Sequence, residues 1–325
     1  MNELKFENAL KSSRAYNILK RDIESGLSHA YMLVTPDDEA AYNFFMLAAC
    51  TLFCASKTAC GECPECLKTL HRNHPNVVWL NLNREQIKVE DIRELTQSAF
   101  IKAFDDNPKV YFVLCADQMN AAAQNKLLKT LEEPPQGVTV FLGVSNASAV
   151  KDTIISRCRI IYLDVFDYDA VFSEIMQITQ DKELSAAAAA CSEGELGKAL
   201  KIATAPVYLD IYKKSLNLLR EMKRSSDIAK FLTPDALPQS PADFLDVLSI
   251  ILRDMLAAKH DEKLVLSKHV KDEIIDLSRK FSERALAEII NLIVDAKNKL
   301  FFHINIATVL QSLYLSMLEV KYKWR

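Results

Sequence analysis

With 325 residues, 40 Lys+Arg against 43 Asp+Glu and half of its residues hydrophobic, the chain has the composition of a globular protein of two or three domains. A net charge of −3 supplies no field that would hold a nucleic-acid backbone by charge alone. The six glycines, at 26, 61, 137, 143, 194 and 197, lack the spacings of the dinucleotide fingerprint, the nucleophile elbow and the Walker A loop, and no two His are four apart as HExxH requires.

The opening residues carry Glu3 and Glu7 where a signal peptide needs a basic and then an apolar stretch. The longest apolar run, near Phe44 to Ala55, is shorter than the roughly 18 residues that cross a bilayer. These features predict a cytoplasmic protein with no membrane partner. Eight Cys in a chain of this kind point to metal ligation or buried thiols rather than a disulfide framework.

In chain order, five short β-rich runs come first: Ala30 to Val34, Asn76 to Leu80, Val110 to Leu114, Val138 to Leu142 and Ile160 to Leu163. They are near-continuously apolar, and amphipathic segments such as Val89 to Phe104 and Ala121 to Leu131 lie between them. That pattern predicts an α/β domain whose parallel sheet is covered on both faces. Beyond Val165 no strand is expected. Residues 167 to 203 read as short helices with an Ala-rich core stretch at Ala186 to Ala190, and the chain from Pro206 onward as longer helices broken by the three prolines at 234, 238 and 241. Leu286, Ile289, Ile290, Ile293, Ala296 and Leu300 follow helical spacing, as do Ile306, Val309, Leu310, Leu313 and Met317, the pattern of faces that pack on neighbouring helices. The expected class is α/β followed by all-α.

Cys54, Cys60, Cys63 and Cys66 form C-x5-C-x2-C-x2-C, with Gly61 and Pro64 making turns inside the set. Such a set is either a tetrahedral zinc site or a group of free, redox-active thiols; turn-held CxxC repeats favour zinc. Four protein ligands leave no open position, so the zinc would be structural. Cys50 is expected in the core, and His71 and His74, close behind the cluster, are expected to be solvent-exposed, although either could replace one Cys as ligand. Cys115, Cys158 and Cys191 lack partners at ligand spacing.

The stretch from Ala116 to Pro135, with Leu127-Leu128-Lys129-Thr130-Leu131-Glu132-Glu133-Pro134-Pro135 at its end, is followed by Ser156-Arg157-Cys158. Together with His29-Ala30-Tyr31, the cysteine module and Ile92-Arg93-Glu94-Leu95, it resembles the bacterial DNA polymerase III clamp-loader subunits of the AAA+ superfamily. The resemblance is good over about residues 5 to 200, and beyond that it rests on pattern, with Asn305 ahead of an amphipathic last helix. It implies an AAA+ core over 1–165 with a zinc module near 50–75, a small helical lid over 166–207 and a helical collar over 208–325.

Three departures from the ATP-binding members bear on function. The phosphate loop is replaced by Thr35-Pro36-Asp37-Asp38-Glu39-Ala40-Ala41-Tyr42, where acids stand in place of Gly and Lys. The Walker B acids fall on Leu114 and Cys115, and Gly197 takes the place of a nucleotide-sensing arginine of the lid. The resemblance therefore implies a subunit without ATP of its own. Its Arg157 would serve as an arginine finger, projected onto the γ-phosphate of a neighbour's ATP, whereas Ser156-Arg157-Cys158 read by itself favours a surface arginine paired with a local carboxylate. It likewise implies, as partners, the ATP-binding gamma/tau subunits and the delta subunit, with the sliding clamp and primer-template DNA reached through the assembly. The competing readings are an atypical self-sufficient AAA+ ATPase and a zinc-dependent nucleic-acid-binding module. The second would want basic and aromatic residues at the cluster; Lys57, Lys68 and Arg72 are there, but Glu62 and Glu65 offset them.

Overall fold

A computed structural model of the chain describes residues 4–101, 107–205, 207–302 and 304–324. Five strands, β1 (Ala30–Val34), β2 (Val77–Leu80), β3 (Lys109–Val113), β4 (Val138–Val144) and β5 (Arg159–Tyr162), form one sheet in the order β2-β3-β4-β1-β5. All pairings are parallel, with Met32 opposite Leu142 on one side and Ile160 on the other. The inner strands β3 and β4 are buried almost end to end, as is β1, whereas the edge strands β2 and β5 keep partial exposure. Burial on two faces is why the inner strands read as unbroken apolar runs.

Alternation along the strands divides the core into two layers. Met32, Tyr111, Val113, Val140 and Leu142 join Ile92 and Leu95 of helix Val89–Ala99 and Leu127 and Leu131 of helix Ala121–Glu132. On the other face Tyr31 stacks on Phe141 at 4.7 Å between ring centres, and Phe112 lies 5.0 Å from both Phe141 and Phe45, the latter from helix Asp38–Phe53. Gly143 permits this approach, because a Cβ there would sit 3.2 Å from the Phe45 ring. The amphipathic segment expected to reach Phe104 is helical only to Ala99, and residues 102–104 lie outside the described residues.

By their contacts the residues divide into two compact units, Met1–Glu174 with Glu195–Gly197, and Ile175–Gly194 with Lys198–Arg325. Among the described residues beyond Val165 there is no strand. In the second unit Ala186–Ala190 is buried within helix Lys182–Cys191, where small side chains admit close packing. Helix Glu283–Phe301 packs on both Pro241–His260 and Ile306–Lys323, and Leu286, Ile289, Ile293, Val309, Leu310, Leu313 and Met317 are buried. Ser282 and Asn305 cap the last two, accepting from the N–H groups of Ala285 and Thr308. Ile306, expected on the buried stripe, is exposed, since it is the first residue after that cap and precedes the packed turns. No helix among the described residues is long and apolar enough to cross a membrane.

Candidate functional site

The cysteine cluster is assembled by two helix ends. Helix Asp38–Phe53 stops at Cys54, whose N–H still reaches the Cys50 carbonyl. A loop follows in which Lys57, Ala59 and Gly61 all take positive φ, and Cys63 caps helix Pro64–Leu70 by accepting the Cys66 N–H on its sulfur. This folding brings all four sulfurs within 4.8 Å of one another. The Cys54–Cys60, Cys60–Cys66 and Cys63–Cys54 sulfur distances are 3.6, 4.0 and 4.0 Å. No disulfide is formed. Four thiolates about 2.3 Å from a tetrahedral zinc stand about 3.8 Å apart, so the donor set fits that ion.

Burial acts to raise the Cys54 thiol, but backbone N–H groups of Cys60, Thr58 and Ser56 and the Ser56 hydroxyl together bring it down to about 5. The Cys66 N–H lowers Cys63 in the same way, whereas burial raises Cys66, the thiol that would depend most on a cation for its deprotonation. Cys50 is core as expected, its thiol pushed up to about 12 by burial. His71 is exposed, but His74 is not. His74 is buried against the Phe53 ring at 3.9 Å, with Nε2 3.0 Å from a Glu65 carboxylate oxygen and Nδ1 accepting the Asn76 N–H. Its place is structural, and neither His enters the thiol cluster.

The second site lies where parallel sheets bind ligands, beyond the carboxyl ends of β1, β3 and β4. After β1, Asp37 caps helix Asp38–Phe53: its Oδ1 accepts the N–H groups of Glu39 and Ala40 at 3.1 and 3.0 Å. Its Oδ2 accepts the N–H of Gly197, in the same compact unit, at 2.7 Å. The positive helix end, the kind of place that holds a phosphate, thus already holds a carboxylate. A Cβ at position 197 would lie 2.3 Å from Asp37 Oδ1 and 2.6 Å from Glu39 Cβ, so no side chain fits there without rearrangement. Nor are the other two acids of this loop free charges. Glu39 pairs with Arg84 at 2.6 Å and Lys5 at 3.8 Å, and Asp38 lies close enough to Cys115 to add to burial in pushing that thiol up to about 12.

Leu114 and Cys115 follow β3 and are buried; Cys115 is in the left-handed region at φ 51°. The neighbouring Asp117 turns its Oδ2 to the Ser145 and Asn146 N–H groups and the Ser145 hydroxyl. These bonds fasten the loop after β3 to the end of β4.

Arg157 follows the short helix Asp152–Ile155 and is about one-third exposed. Its Nη1 donates to the Thr153 carbonyl at 2.8 Å, and its Nη2 lies 2.9 Å from Oε1 of Glu132, the last residue of helix Ala121–Glu132. The guanidinium is thus paired with a carboxylate of the Glu-Glu-Pro-Pro motif, the arrangement expected of a surface arginine when its triplet is read by itself. Sequence reading treated these two motifs separately and missed Glu132 as the partner of Arg157. It also missed Asp37 as an internal anion, although an Asp just ahead of an apolar helical run is an N-cap signal.

The family model described as "DNA polymerase III, delta subunit" matches residues 11–167. The chain is similar to the DNA polymerase III subunit delta' of Bacillus subtilis, 24% identical over 94% of each chain. It is also similar to that of Escherichia coli, 26% identical over 85% of this chain and 84% of the relative. A DNA polymerase III subunit tau/gamma of Haemophilus influenzae is 28% identical over 50% of this chain and 24% of its own length.

Proposed function

This chain belongs to the DNA polymerase III delta-prime family of clamp-loader subunits, and we propose that it completes a neighbour's ATP site with Arg157 while holding no nucleotide itself. The observation that carries this reading is the Asp37 carboxylate at the N-terminus of helix Asp38–Phe53. A phosphate entering there would meet a fixed negative charge and displace three hydrogen bonds, with no Lys in the loop to compensate. Leu114 and Cys115 offer no ligand for Mg²⁺, and the close fit of Gly197 against Asp37 excludes a sensing arginine at that position.

Arg157 would act in trans. A planar guanidinium can meet two phosphate oxygens at once, and Glu132 holds it at the surface rather than in the core. The partners of this reading are the ATP-binding gamma/tau subunits and the delta subunit, with the sliding clamp and primer-template DNA reached through the assembly, in the cytoplasm. Residues 166–207 serve as lid and 208–325 as collar. Cys54, Cys60, Cys63 and Cys66 hold a zinc ion whose closed ligand set stiffens the loop between two helices and takes no part in the chemistry. A nucleic-acid-reading role for that module is disfavoured because Lys68 is paired with Glu65 at 2.7 Å.

The test is reconstitution with the ATP-binding subunits. Arg157→Ala is expected to leave assembly intact and to lower DNA- and clamp-stimulated ATPase; a finger contributes roughly 10³ to 10⁵ at one site, but intact sites elsewhere reduce the loss in total turnover. Arg157→Lys should rescue poorly, since an ammonium lacks the planar fork. An Ala variant that assembles and loads clamps at the wild-type rate would show that Arg157 has no role in trans.

A further inference from the structure

His74 lies outside the thiol cluster, yet its side chain meets three segments of the cysteine module at once. The residue is only 5% exposed. Its ring packs at 3.9 Å on Phe53, the last residue of helix Asp38–Phe53 and the neighbour of Cys54. Nδ1 accepts the Asn76 N–H at 3.2 Å, which leaves the proton of the neutral imidazole on Nε2. Nε2 stands 3.0 Å from Oε2 of Glu65, a residue between Cys63 and Cys66. The segment is itself tied to the sheet, because the Asn76 carbonyl accepts the Val110 N–H at 2.8 Å and the His74 carbonyl accepts the Val77 N–H at 3.1 Å.

The ligand set comes from two pieces of chain. Cys54 ends one helix, whereas Cys63 and Cys66 sit at the start of helix Pro64–Leu70, and the loop between them carries three residues at positive φ. Four thiolates repel one another until a cation lies among them, and that repulsion spreads the two pieces. A brace acting from outside the cluster opposes the spreading and reduces the ordering that metal binding has to supply. His74 has the contacts of such a brace. Its ring meets the Cys54 end, Nε2 meets the helix that carries Cys63 and Cys66, and Nδ1 meets the approach to β2. Packing alone does not account for the residue: a Phe there would pack on Phe53 and bury no polar atom, whereas the imidazole brings two nitrogens into a buried place and each finds a partner.

We propose that His74 positions the metal site from outside its ligand set, holding Glu65, and with it Cys63 and Cys66, against the Cys54 end of helix Asp38–Phe53. The inference rests on the zinc reading of the four cysteines. Its test is competition between the full chain and a chelating dye for zinc, with cobalt(II) as a spectroscopic probe of the same site. His74→Ala and His74→Phe should each bind zinc about 10- to 100-fold more weakly than wild type, the loss that follows removal of an outer partner of a metal ligand. His74→Phe keeps a ring on Phe53, so its loss does not come from an emptied core. His74→Gln, whose amide can donate to Glu65, should recover part of the affinity. Glu65→Ala should weaken binding as His74→Ala does, and the double variant should be no weaker than either, since both cut one link. The cobalt(II) bands should keep their wild-type positions in every variant, because no ligand has changed. Shifted bands in His74→Phe would make His74 a ligand and overturn the proposal. So would unchanged zinc affinity in His74→Phe, or losses that multiply in the double variant. A wild-type chain that takes up neither ion would instead refute the zinc reading, and this inference with it.

Discussion

Replacing Asp37 separates its capping bonds from its bond to Gly197. Asp37→Ala removes the acceptor for the Glu39 and Ala40 N–H groups and the acceptor for the Gly197 N–H. Loss of an N-cap costs about 1 kcal/mol, and loss of a hydrogen bond to a charged group about 1.5–3 kcal/mol. The sum, about 3 kcal/mol, corresponds to a fall of roughly 6–12 °C in the unfolding temperature of a unit of this size. Asp37→Asn keeps a carbonyl oxygen for the cap but turns an NH₂ toward the Gly197 N–H, so it should lose only the second part. Calorimetry of the wild type and both variants measures the three values, and titration with MgATP should give no heat of binding in any of them. An Ala variant within 0.5 kcal/mol of wild type would refute the reasoning about the self-filled helix end. Micromolar MgATP affinity in wild type would refute the degenerate site altogether, and its appearance only in Asp37→Ala would mean that the carboxylate alone had blocked nucleotide.

Metal analysis of protein purified without chelator should give one zinc per chain, and Cys63→Ser should lower both the zinc content and the protease resistance of residues 54–70; unchanged zinc would point to other ligands or to free thiols. Glu174 is buried and accepts the Ala9 N–H at 2.7 Å, and burial raises its carboxyl above the ordinary value. The folded chain therefore retains a proton that the unfolded chain releases. This contribution favours the folded state most at low pH and declines as pH rises from about 4.3, the ordinary value, through the raised folded value. Urea midpoints of wild type and Glu174→Gln across that range should differ in slope by this decline, and parallel curves would contradict it.

Strand positions were legible because burial on both faces forces unbroken apolar runs, and β1, β3 and β4 lie within two residues of the segments predicted for them. The helical second half was legible for a similar reason: one buried stripe leaves a 3.6-residue period, as at Leu286, Ile289 and Ile293. The thiol cluster was legible because all its members lie within thirteen residues of chain, and local turns alone can gather them. The lack of a Lys from Thr35 to Tyr42 and of acids at Leu114 and Cys115 was legible as well, since folding adds no residue.

Only the tertiary structure decided what took their place. Asp37 and Gly197 are 160 residues apart, and Glu132 and Arg157 come from different motifs, so neither pairing leaves a local trace. His74 was read as exposed because its burial depends on Phe53, Glu65 and Asn76 meeting around it. Periodicity records which face of an element is buried. Charge–charge and hydrogen-bond partners are chosen by distances in space, and these are fixed only when the elements pack.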